Sequence, residues 1–420
     1  MKRSRTVHLK PVTKILALAG LGCLPFTLQG QDALFSSLIS ERIRAQTKTE
    51  LANAPYTFKW RELRTVLSAS LASEWNDNIQ ASGATKRSDF SLSPSLSINS
   101  LYPITDHNAL RINFTTGYQK YVSHTELDRW FLHPGSEIGF DIFVRELRIN
   151  LHERLSYSED ATRYGAVSGQ GTFGGLENAA GIQLSTPLKN MTASLGYDYQ
   201  TFSSASSSPS KQMNRGSHNV VAQLGVNVHP DVTLGADASA GYTQYQEPIL
   251  NDNLSISTGP FVHWRASEYV DVEVRAGYVQ YTFYGSGATG MLPGYSSFYG
   301  NLLMRHRVNR WLSYTLDGGR SSSMGVNANQ AERTEANLRF EYKIFSKVSL
   351  GNRLSYEKAR EFRGLLPQDY DRLGIGVHAG YQILRKLTGS MSYDYLLKNS
   401  DVPFFGYAQN RVSLMLTYQF

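Results

Sequence analysis

The last ten residues of the chain, RVSLMLTYQF (411–420), alternate between two kinds of side chain. Apolar residues occupy every even position from Val412 to Phe420, and mainly polar residues occupy the odd positions. Because successive side chains of a β-strand point to opposite faces, this pattern predicts a strand with one apolar and one polar face. Chain ends usually fray, but this one keeps its pattern up to a terminal aromatic residue. The rest of the sequence has to show what the apolar face contacts.

The same two-residue period recurs from about Leu63 onward and yields about 18 candidate strands. Their connections alternate in length. The short connections are 145–146, 187–190, 229–231, 309–310, 345–347 and 384–386; the longer, polar ones are 76–88, 158–174, 203–216, 284–294, 324–332, 359–370 and 398–406. An even strand count with alternating short and long loops is typical of outer-membrane barrels. We therefore predict an all-β, transmembrane, antiparallel up-and-down β-barrel over residues 63–420.

The polar faces of these strands carry many charged side chains. A soluble barrel would have to bury them in its core at a high cost in free energy. A barrel with its apolar face toward lipid and its polar face toward a wet lumen satisfies both faces. The pore-lining candidates are Arg111, Arg148, Arg154, Asp237, Asp271, Glu273, Arg275, Arg305, Arg307, Glu335, Arg339, Glu341, Arg353, Arg372, Asp394 and Arg411.

Aromatic residues lie near the predicted strand ends, where amphipathic rings suit the two membrane interfaces. The outer group is Tyr197, Tyr199, Tyr242, Tyr278, Tyr356, Tyr393 and Tyr395; the inner group is Trp264, Phe340, Tyr342, Tyr381, Tyr418 and Phe420. We interpret Tyr418 and Phe420 also as a membrane-insertion signal for the barrel-insertion machinery, a general expectation for outer-membrane proteins.

Residues 1–30 have the features of a cleaved secretory signal. The basic stretch MKRSRTVHLKPVTK precedes a largely apolar stretch of 14 residues at 15–28, too short for a membrane-spanning helix, and cleavage is expected near Gly30. The leader holds five basic and no acidic residues, so the formal net charge falls from +7 by 5 to +2. This removes the main support for a nucleic-acid partner. The only cysteine, Cys23, also lies in the leader, which excludes disulfides and thiolate metal sites in the mature chain.

Residues 31–62 differ from the predicted barrel. Apolar residues recur there at helical spacing from Leu34 to Ile43, with basic residues among and after them. The segment is predicted to be periplasmic, either as a short amphipathic helix that plugs or borders the lumen or as a tether; the sequence favours neither.

We find no pattern that indicates catalysis. The mature histidines lie on separate strands and loops, outside any nucleophile motif or metal-ligand spacing. His218 and His306 fall on the apolar parity, where a lipid-active enzyme would keep its base, but positions at the membrane rim explain both more simply. The stretch GQGTFGG (169–175) lacks the strand-to-helix context of a phosphate-binding loop. We expect no catalytic residue, cofactor or metal.

The charged lumen is the better indication of function. Charged rings and pore width select solutes, and barrels larger than about 16 strands leave an aqueous channel. A modest excess of arginine would favour anions or hydroxyl-rich solutes. The first interpretation is therefore a channel for small polar solutes. The alternative is a barrel for exopolysaccharide export or surface attachment, and a homo-oligomer is compatible with either.

Three short stretches resemble the opening hairpins of β-barrel porin families that are often encoded with exopolysaccharide or exosortase systems. They are ASEWNDNIQAS (72–82), SDFSLSPSLSINS (88–100) and RINFTTGYQKYVS (111–123). The shared features are Asp77-Asn78 after the first strand, Pro94 within the second, and Tyr118 and Tyr121 at the end of the third. The resemblance implies an integral location in the bacterial outer membrane and a pore, and it supplies no catalytic residues.

Three residues fit the predicted strands badly. Glu153 shares the lipid-facing parity of Leu151 and Leu155, and Pro94 and Pro260 would each remove a ladder hydrogen bond. We expect a bulge or a shifted register near them.

Overall fold

The computed structural model describes residues 56–205, 210–285 and 287–420. The predicted leader and most of the predicted periplasmic segment, including its helical pattern, lie outside these residues. The strands are β1 (Phe58–Trp60), β2 (Leu63–Asn76), β3 (Asp89–Thr105), β4 (Asn108–Tyr121), β5 (Arg129–Val144), β6 (Leu147–Ser158), β7 (Gly175–Leu188), β8 (Met191–Ser204), β9 (Arg215–His229), β10 (Val232–Tyr245), β11 (Asp252–Arg265), β12 (Val270–Tyr284), β13 (Tyr295–Arg307), β14 (Leu312–Ser323), β15 (Ala328–Ile344), β16 (Val348–Gly364), β17 (Gln368–Gln382), β18 (Leu387–Ser400) and β19 (Tyr407–Gln419).

Short 3₁₀ turns occupy Thr125–Leu127, Ala161–Arg163 and Ser210–Met213. Within the described ranges, no helix is long and apolar enough to cross a membrane.

The strands form one closed antiparallel barrel. Each strand from β2 to β19 pairs with its neighbours in sequence, and β19 pairs with β2, which closes a ring of 18 strands. The closing pairs run from Arg411 opposite Asn76 to Gln419 opposite Ser68. The predicted fold class is confirmed, and the C-terminal strand is the one that closes the barrel.

The connections alternate as predicted, but strands extend into several of the predicted long loops. Residues 328–332 and 359–364, assigned to long loops from the sequence, continue strands β15 and β16 instead. Residues 368–370 and 398–400 likewise belong to β17 and β18. The ladder between β15 and β16 runs without a break of register from Ala328 opposite Gly364 to Ile344 opposite Val348. The extension of β15 and β16 could not be seen in the sequence because polar residues occur on both of its faces. Here the strands continue beyond the apolar band of the barrel, so their outer face no longer needs apolar side chains.

The register keeps apolar and polar faces separate around the whole ring. At the closing pair, Leu416 lies opposite Leu71 on the outer face, while the hydroxyls of Thr417 and Ser70 are 2.8 Å apart on the inner face. The outer face exposes aliphatic side chains on strand after strand, such as Leu195, Leu224 and Leu354. A one-residue slip within a strand would turn its side chains to the other face. The register shifts that occur lie at strand ends or, in β5, amount to two residues, so the two faces stay separate.

Aromatic side chains border the aliphatic band on the outer face. Near the end with the long loops, the rings of Tyr278 and Phe298 lie 5.3 Å apart, edge to face. Near the other end, Tyr418 and Phe420 lie 5.2 Å apart in the same geometry. Both groups lie where aromatic residues are expected to anchor a barrel at the two membrane–water interfaces.

Strand β1 extends the sheet beyond the end of β19. It pairs with Leu63–Thr65 at the start of β2, on the same edge of β2 that pairs with β19 from Ser68 onward. Between the two, the amide of Phe420 donates to the carbonyl of Leu67 at 3.0 Å. The two chain segments therefore share one edge and leave little of it open. The first long strand begins at Leu63.

The three residues that fit the predicted strands badly, Pro94, Pro260 and Glu153, are accommodated in different ways. Pro94 and Pro260 lie inside β3 and β11, and the register is the same on both sides of each, so the expected bulge there was wrong. Register shifts occur elsewhere. One lies in β5 between Leu132 and Ser136, where Pro134 interrupts the ladder, and two lie at strand ends, at Pro103–Thr105 in β3 and at Val232–Thr233 in β10. Glu153 does lie on the lipid-facing parity, and the side-chain amide of Asn178 on the same face donates to it.

The two faces make opposite predictions for the same substitution on neighbouring residues of β8. Leu195→Arg should lower the free energy of unfolding by about 2–4 kcal/mol, because it places a cation in hydrocarbon. Ser194→Arg, on the lumen side, should change it by much less. Equilibrium unfolding in lipid vesicles measures both, and equal losses would contradict the assignment of the faces.

Candidate functional site: the lumen and its outer mouth

All the pore-lining candidates lie on strand parities opposite the exposed aliphatic residues. Most of them meet an acidic or basic partner on the same face, so the wall consists of small ionic clusters rather than isolated cations. The clusters fall on two arcs of the ring, one on β4–β6 and one on β10–β18.

The first cluster centres on Asp141. Its carboxylate accepts from Arg111 at 2.9 Å and pairs with Arg148 at 2.8 Å, and its side chain is fully buried. Arg154 continues the network through Glu137 at 3.0 Å. A carboxylate held between two guanidinium groups can be buried because its hydrogen bonds are satisfied.

The second cluster centres on Arg275. Its guanidinium donates to Asp237 at 2.8 Å and to Glu273 at 2.5 Å. It also lies 4.8 Å above the ring of Phe261, while the hydroxyl of Tyr299 donates to Asp237. Two acids, a ring face and a phenol therefore fix this arginine in one geometry.

Other candidates form single ion pairs outside these two clusters. Arg339 pairs with Asp317 at 2.5 Å, Arg353 with Asp394 at 3.2 Å, and Arg305 with Asp271 at 3.8 Å. Arg307 stacks on Tyr269, and Arg372 lies near the outer mouth. Glu335 and Glu341 lie on the inner face of β15. Arg411 lines a small cleft together with Arg353 and Asp394.

Several partners were missing from the sequence prediction. Glu137, Asp141 and Asp317 lie directly on the polar parities of β5 and β14, so the alternation could have found them. Glu357 and Lys398 could not be judged from alternation alone, because their burial depends on a loop that crosses the lumen.

That loop is segment 159–174, the connection between β6 and β7, and it folds into the barrel. Ala166 and Phe173 are almost fully buried and belong to one apolar cluster with Tyr370 and Ala359 of the far wall. This connection, predicted only to be long and polar, therefore contributes to a core, and we call segment 159–174 the mouth plug. It places backbone and side chains across the outer end of the lumen.

The tip of the β14–β15 hairpin, residues 324–327, completes the closure from another side. Val326 joins the same apolar cluster, together with Met213 and Phe202. The amide of Gln212 donates to the carbonyl of Val326 at 3.0 Å, and the phenol of Tyr245 donates to the sulfur of Met324 at 3.1 Å. The tip therefore leans inward toward β8–β10.

This inward tilt interrupts the wall. Strands β13 and β14 pair only from Gly300 opposite Arg320 down to Arg307 opposite Ser313, and the described part of the chain contains no further pair above them. Side chains close the interval: Ser297 and Arg320 each donate to Glu332 at 2.9 Å. The barrel is thus least regular where the tip leaves the cylinder.

Polar anchors hold the plug against the far wall. Arg372 donates to the carbonyl of Thr162 at 3.0 Å and to Glu357 at 3.3 Å. The ammonium of Lys398 donates to the hydroxyl of Ser168 at 2.9 Å, and that hydroxyl donates to the carbonyl of Phe405. Arg372 and Lys398 are about 1% exposed, so the plug shields both cations from water.

Electrostatics also favour the plug's first turn. Burial alone would raise the pKa of Asp160, but Arg129, Arg411 and two hydrogen bonds from Thr162 outweigh it and hold the pKa below its ordinary value. The carboxylate therefore stabilises the turn above the pKa of the unfolded chain, and this contribution is lost only as the pH falls through the lower, folded value. Burial raises the pKa of Tyr164, which stays neutral.

The two histidines on the lipid-facing parity belong to the aromatic borders. His218 lies 2.8 Å from the hydroxyl of Tyr197, and His306 lies 3.2 Å from that of Tyr314. Within the ranges that the structure covers, no group of three or more His, Cys, Asp or Glu side chains could hold a metal ion.

Comparison with known proteins agrees with this architecture. The model of the family described as Putative beta-barrel porin 2 matches residues 184–362, from the lower part of β7 almost to the end of β16. The match covers less than half of the chain; together with the closed barrel it indicates a porin-like barrel of the bacterial outer membrane. The resemblance to β-barrel porin families inferred from the first hairpins is confirmed, although the matched residues lie farther along the barrel.

A solved structure shows a similar fold. The chain is similar to Pseudomonas aeruginosa OccK2 (OpdF), solved in complex with glucuronate, with a TM-score of 0.50, 12% identity, and coverage of 86% of this chain and 98% of that one. It is also similar to Pseudomonas aeruginosa OpdK, solved with vanillate, with a TM-score of 0.49, 11% identity, and coverage of 85% and 99%. No curated protein matches the chain significantly.

The anchors predict how the plug can be released. Arg372→Met removes the hydrogen bond to Thr162 and leaves Glu357 with fewer partners, so the plug should leave the wall more often. Trypsin should then cleave after Arg163 at least about tenfold faster than in the original chain, as a loss of about 1.4 kcal/mol implies.

Arg339→Met is the control, since Arg339 pairs with Asp317 on the wall and does not touch the plug. Equal cleavage of the two variants at Arg163 would show that Arg372 does not anchor the segment.

Proposed function

We propose that the barrel passes small polar solutes between the two sides of the outer membrane, and that the mouth plug controls access at the outer end. The observation that carries this proposal is the register, which turns serine, glycine and charged side chains of every long strand toward the interior. Such a face has no use in a cylinder whose interior is filled with apolar side chains.

The ionic clusters would set the selectivity. Asp141 and Arg275 sit in networks that stiffen the wall, whereas Arg305 and Arg339 are more than half exposed and can meet a solute. Since most of the arginines have acidic partners, the field they present is weaker than their number suggests. We expect hydroxyl-rich solutes and small anions rather than a strictly anion-selective pore.

The plug makes passage conditional. It is held by an apolar cluster and by a few hydrogen bonds from Arg372 and Lys398, and these contacts must break or rearrange before a solute can leave through the outer mouth. Loops that move in this way usually belong to the least stable part of a structure. The channel would therefore be mostly closed at rest.

The closed mouth also favours a second candidate, a barrel for polysaccharide export or surface attachment. A barrel of that kind would stay closed until a partner or the N-terminal segment acts on it. We infer no enzymatic activity, because none of the lumen clusters combines a nucleophile with an oriented base.

The last strand of the chain suggests two partners, one for its outer face and one for its terminal aromatic residues. Its outer face contacts lipid, and Tyr418 with Phe420 would be recognised by the barrel-insertion machinery. A homo-oligomer is compatible with this arrangement, and its test is the mass of the purified protein in detergent.

The experiment is conductance in planar bilayers. The mature chain should give rare, small openings, and deletion of 163–172 within the plug should give frequent, larger ones, because the lumen below is already polar. A plug deletion that folds yet conducts no better than the original chain would contradict the channel proposal.

Deletion of 31–55 separates the two candidates while sparing β1. If conductance rises only in this variant, the barrel is one whose N-terminal segment must be displaced, as the export reading requires. If it rises only in the plug deletion, the channel reading holds.

A further inference from the structure

The short-turn end of the barrel is unevenly charged. Four consecutive turns, at 266–269, 308–311, 345–347 and 383–386, have exposed cations in the turn itself or on the adjoining strand ends, and we call them the basic arc. Its basic residues are Arg265, Arg307, Arg310, Lys343, Lys347, Arg385 and Lys386. The acidic residues beside them are Glu268 in the first turn, Asp271 opposite Arg265, and Glu341 on the lumen face.

The turns on the other half of the same rim have mixed charge. Asp106 is followed by His107, Arg145 by Glu146, and His229 lies 3.7 Å from Asp231, while the turn at 189–190 carries Lys189 next to Asn190. The asymmetry is therefore a property of one half of the ring and does not follow from the overall composition.

The arc is apolar as well as basic. Phe345 is 76% exposed and Leu384 is 63% exposed, in turns that also carry Lys347 and Lys386. The guanidinium of Arg310 lies 4.5 Å above the ring of Trp311, which keeps a cation directly over an interface aromatic. Exposed rings and aliphatic groups beside cations suit the boundary between acyl chains and headgroups.

We propose that the basic arc binds the headgroups of anionic phospholipids in the periplasmic leaflet. The short turns and the described chain ends share this side of the barrel, which in outer-membrane barrels is the periplasmic one. Arg310, Lys347, Arg385 and Lys386 lie in the turns, where they reach phosphate groups. Apolar neighbours such as Phe345 and Leu384 enter the acyl boundary beneath them.

The cations of the arc that lie on the lumen face could act on solutes instead of lipids. Arg265, Arg307 and Lys343 follow the inward parity of their strands, and the guanidinium of Arg307 donates to the carbonyl of Glu268 at 3.0 Å. They would meet anionic solutes at the periplasmic opening. The test therefore changes only turn residues.

The experiment uses the full mature chain in nanodiscs of phosphatidylethanolamine with a minority of phosphatidylglycerol. Native mass spectrometry measures which lipids remain bound after release from the nanodisc. The original chain should retain phosphatidylglycerol above its bulk fraction. A cation near an anionic surface favours binding by about fivefold, so R310Q/K347Q should lower this enrichment by at least about fivefold.

The matched control is R145Q/K189Q, which removes two exposed cations from turns on the other half of the rim and should leave the enrichment unchanged. Equal losses in the two double variants, or no enrichment in the original chain, would overturn the proposal. Unchanged lipid retention with a loss of anion conductance in R310Q/K347Q would assign the arc to the solute path and would overturn it as well.

Discussion

Closure of the ring in one register is the constraint on which everything else in this protein depends. A strand has only two faces, and hydrogen bonding to both neighbours leaves no freedom to rotate. Once Leu416 lies opposite Leu71, the parity of every other strand is determined. In a bilayer, all backbone groups must also be paired internally, which a closed barrel achieves. The polar interior is thus a consequence of membrane insertion, and it forms the wall of the lumen where a solute could bind or pass.

The alternation in the sequence was sufficient to predict this frame. It placed the long strands, the direction of their faces and the closing strand, because each lipid-facing position needs an apolar side chain whatever its neighbours are. The same reasoning misjudged residues 328–332 and 359–364. There the strands rise beyond the apolar band, and the physical demand that creates the alternation no longer applies. The expected bulges at Pro94 and Pro260 were wrong for a related reason: loss of one hydrogen bond need not shift a ladder that is held on its other edge.

The mouth plug could not be predicted from the sequence. Segment 159–174 reads as an ordinary polar loop, and its apolar residues, such as Phe173 and Val167, show no periodicity. They become a core only because Tyr370 and Ala359 lie across the lumen from them and the tip at Val326 leans in from another side. These contacts join residues far apart in the chain. The partners of the wall arginines are an intermediate case: their parity could be read from the sequence, but their pairing depends on which strands are neighbours.

The most direct test of the central claim is the reactivity of two adjacent cysteines on β13. The chain beyond Cys23 contains no cysteine, so single substitutions report without background. Asn301 and Leu302 are both exposed, the first on the inner face and the second on the outer face. In proteoliposomes, a small, charged, membrane-impermeant maleimide should label N301C and spare L302C, which only a lipid-soluble maleimide should reach. Equal labelling of both by the charged reagent, or labelling of L302C alone, would contradict the account.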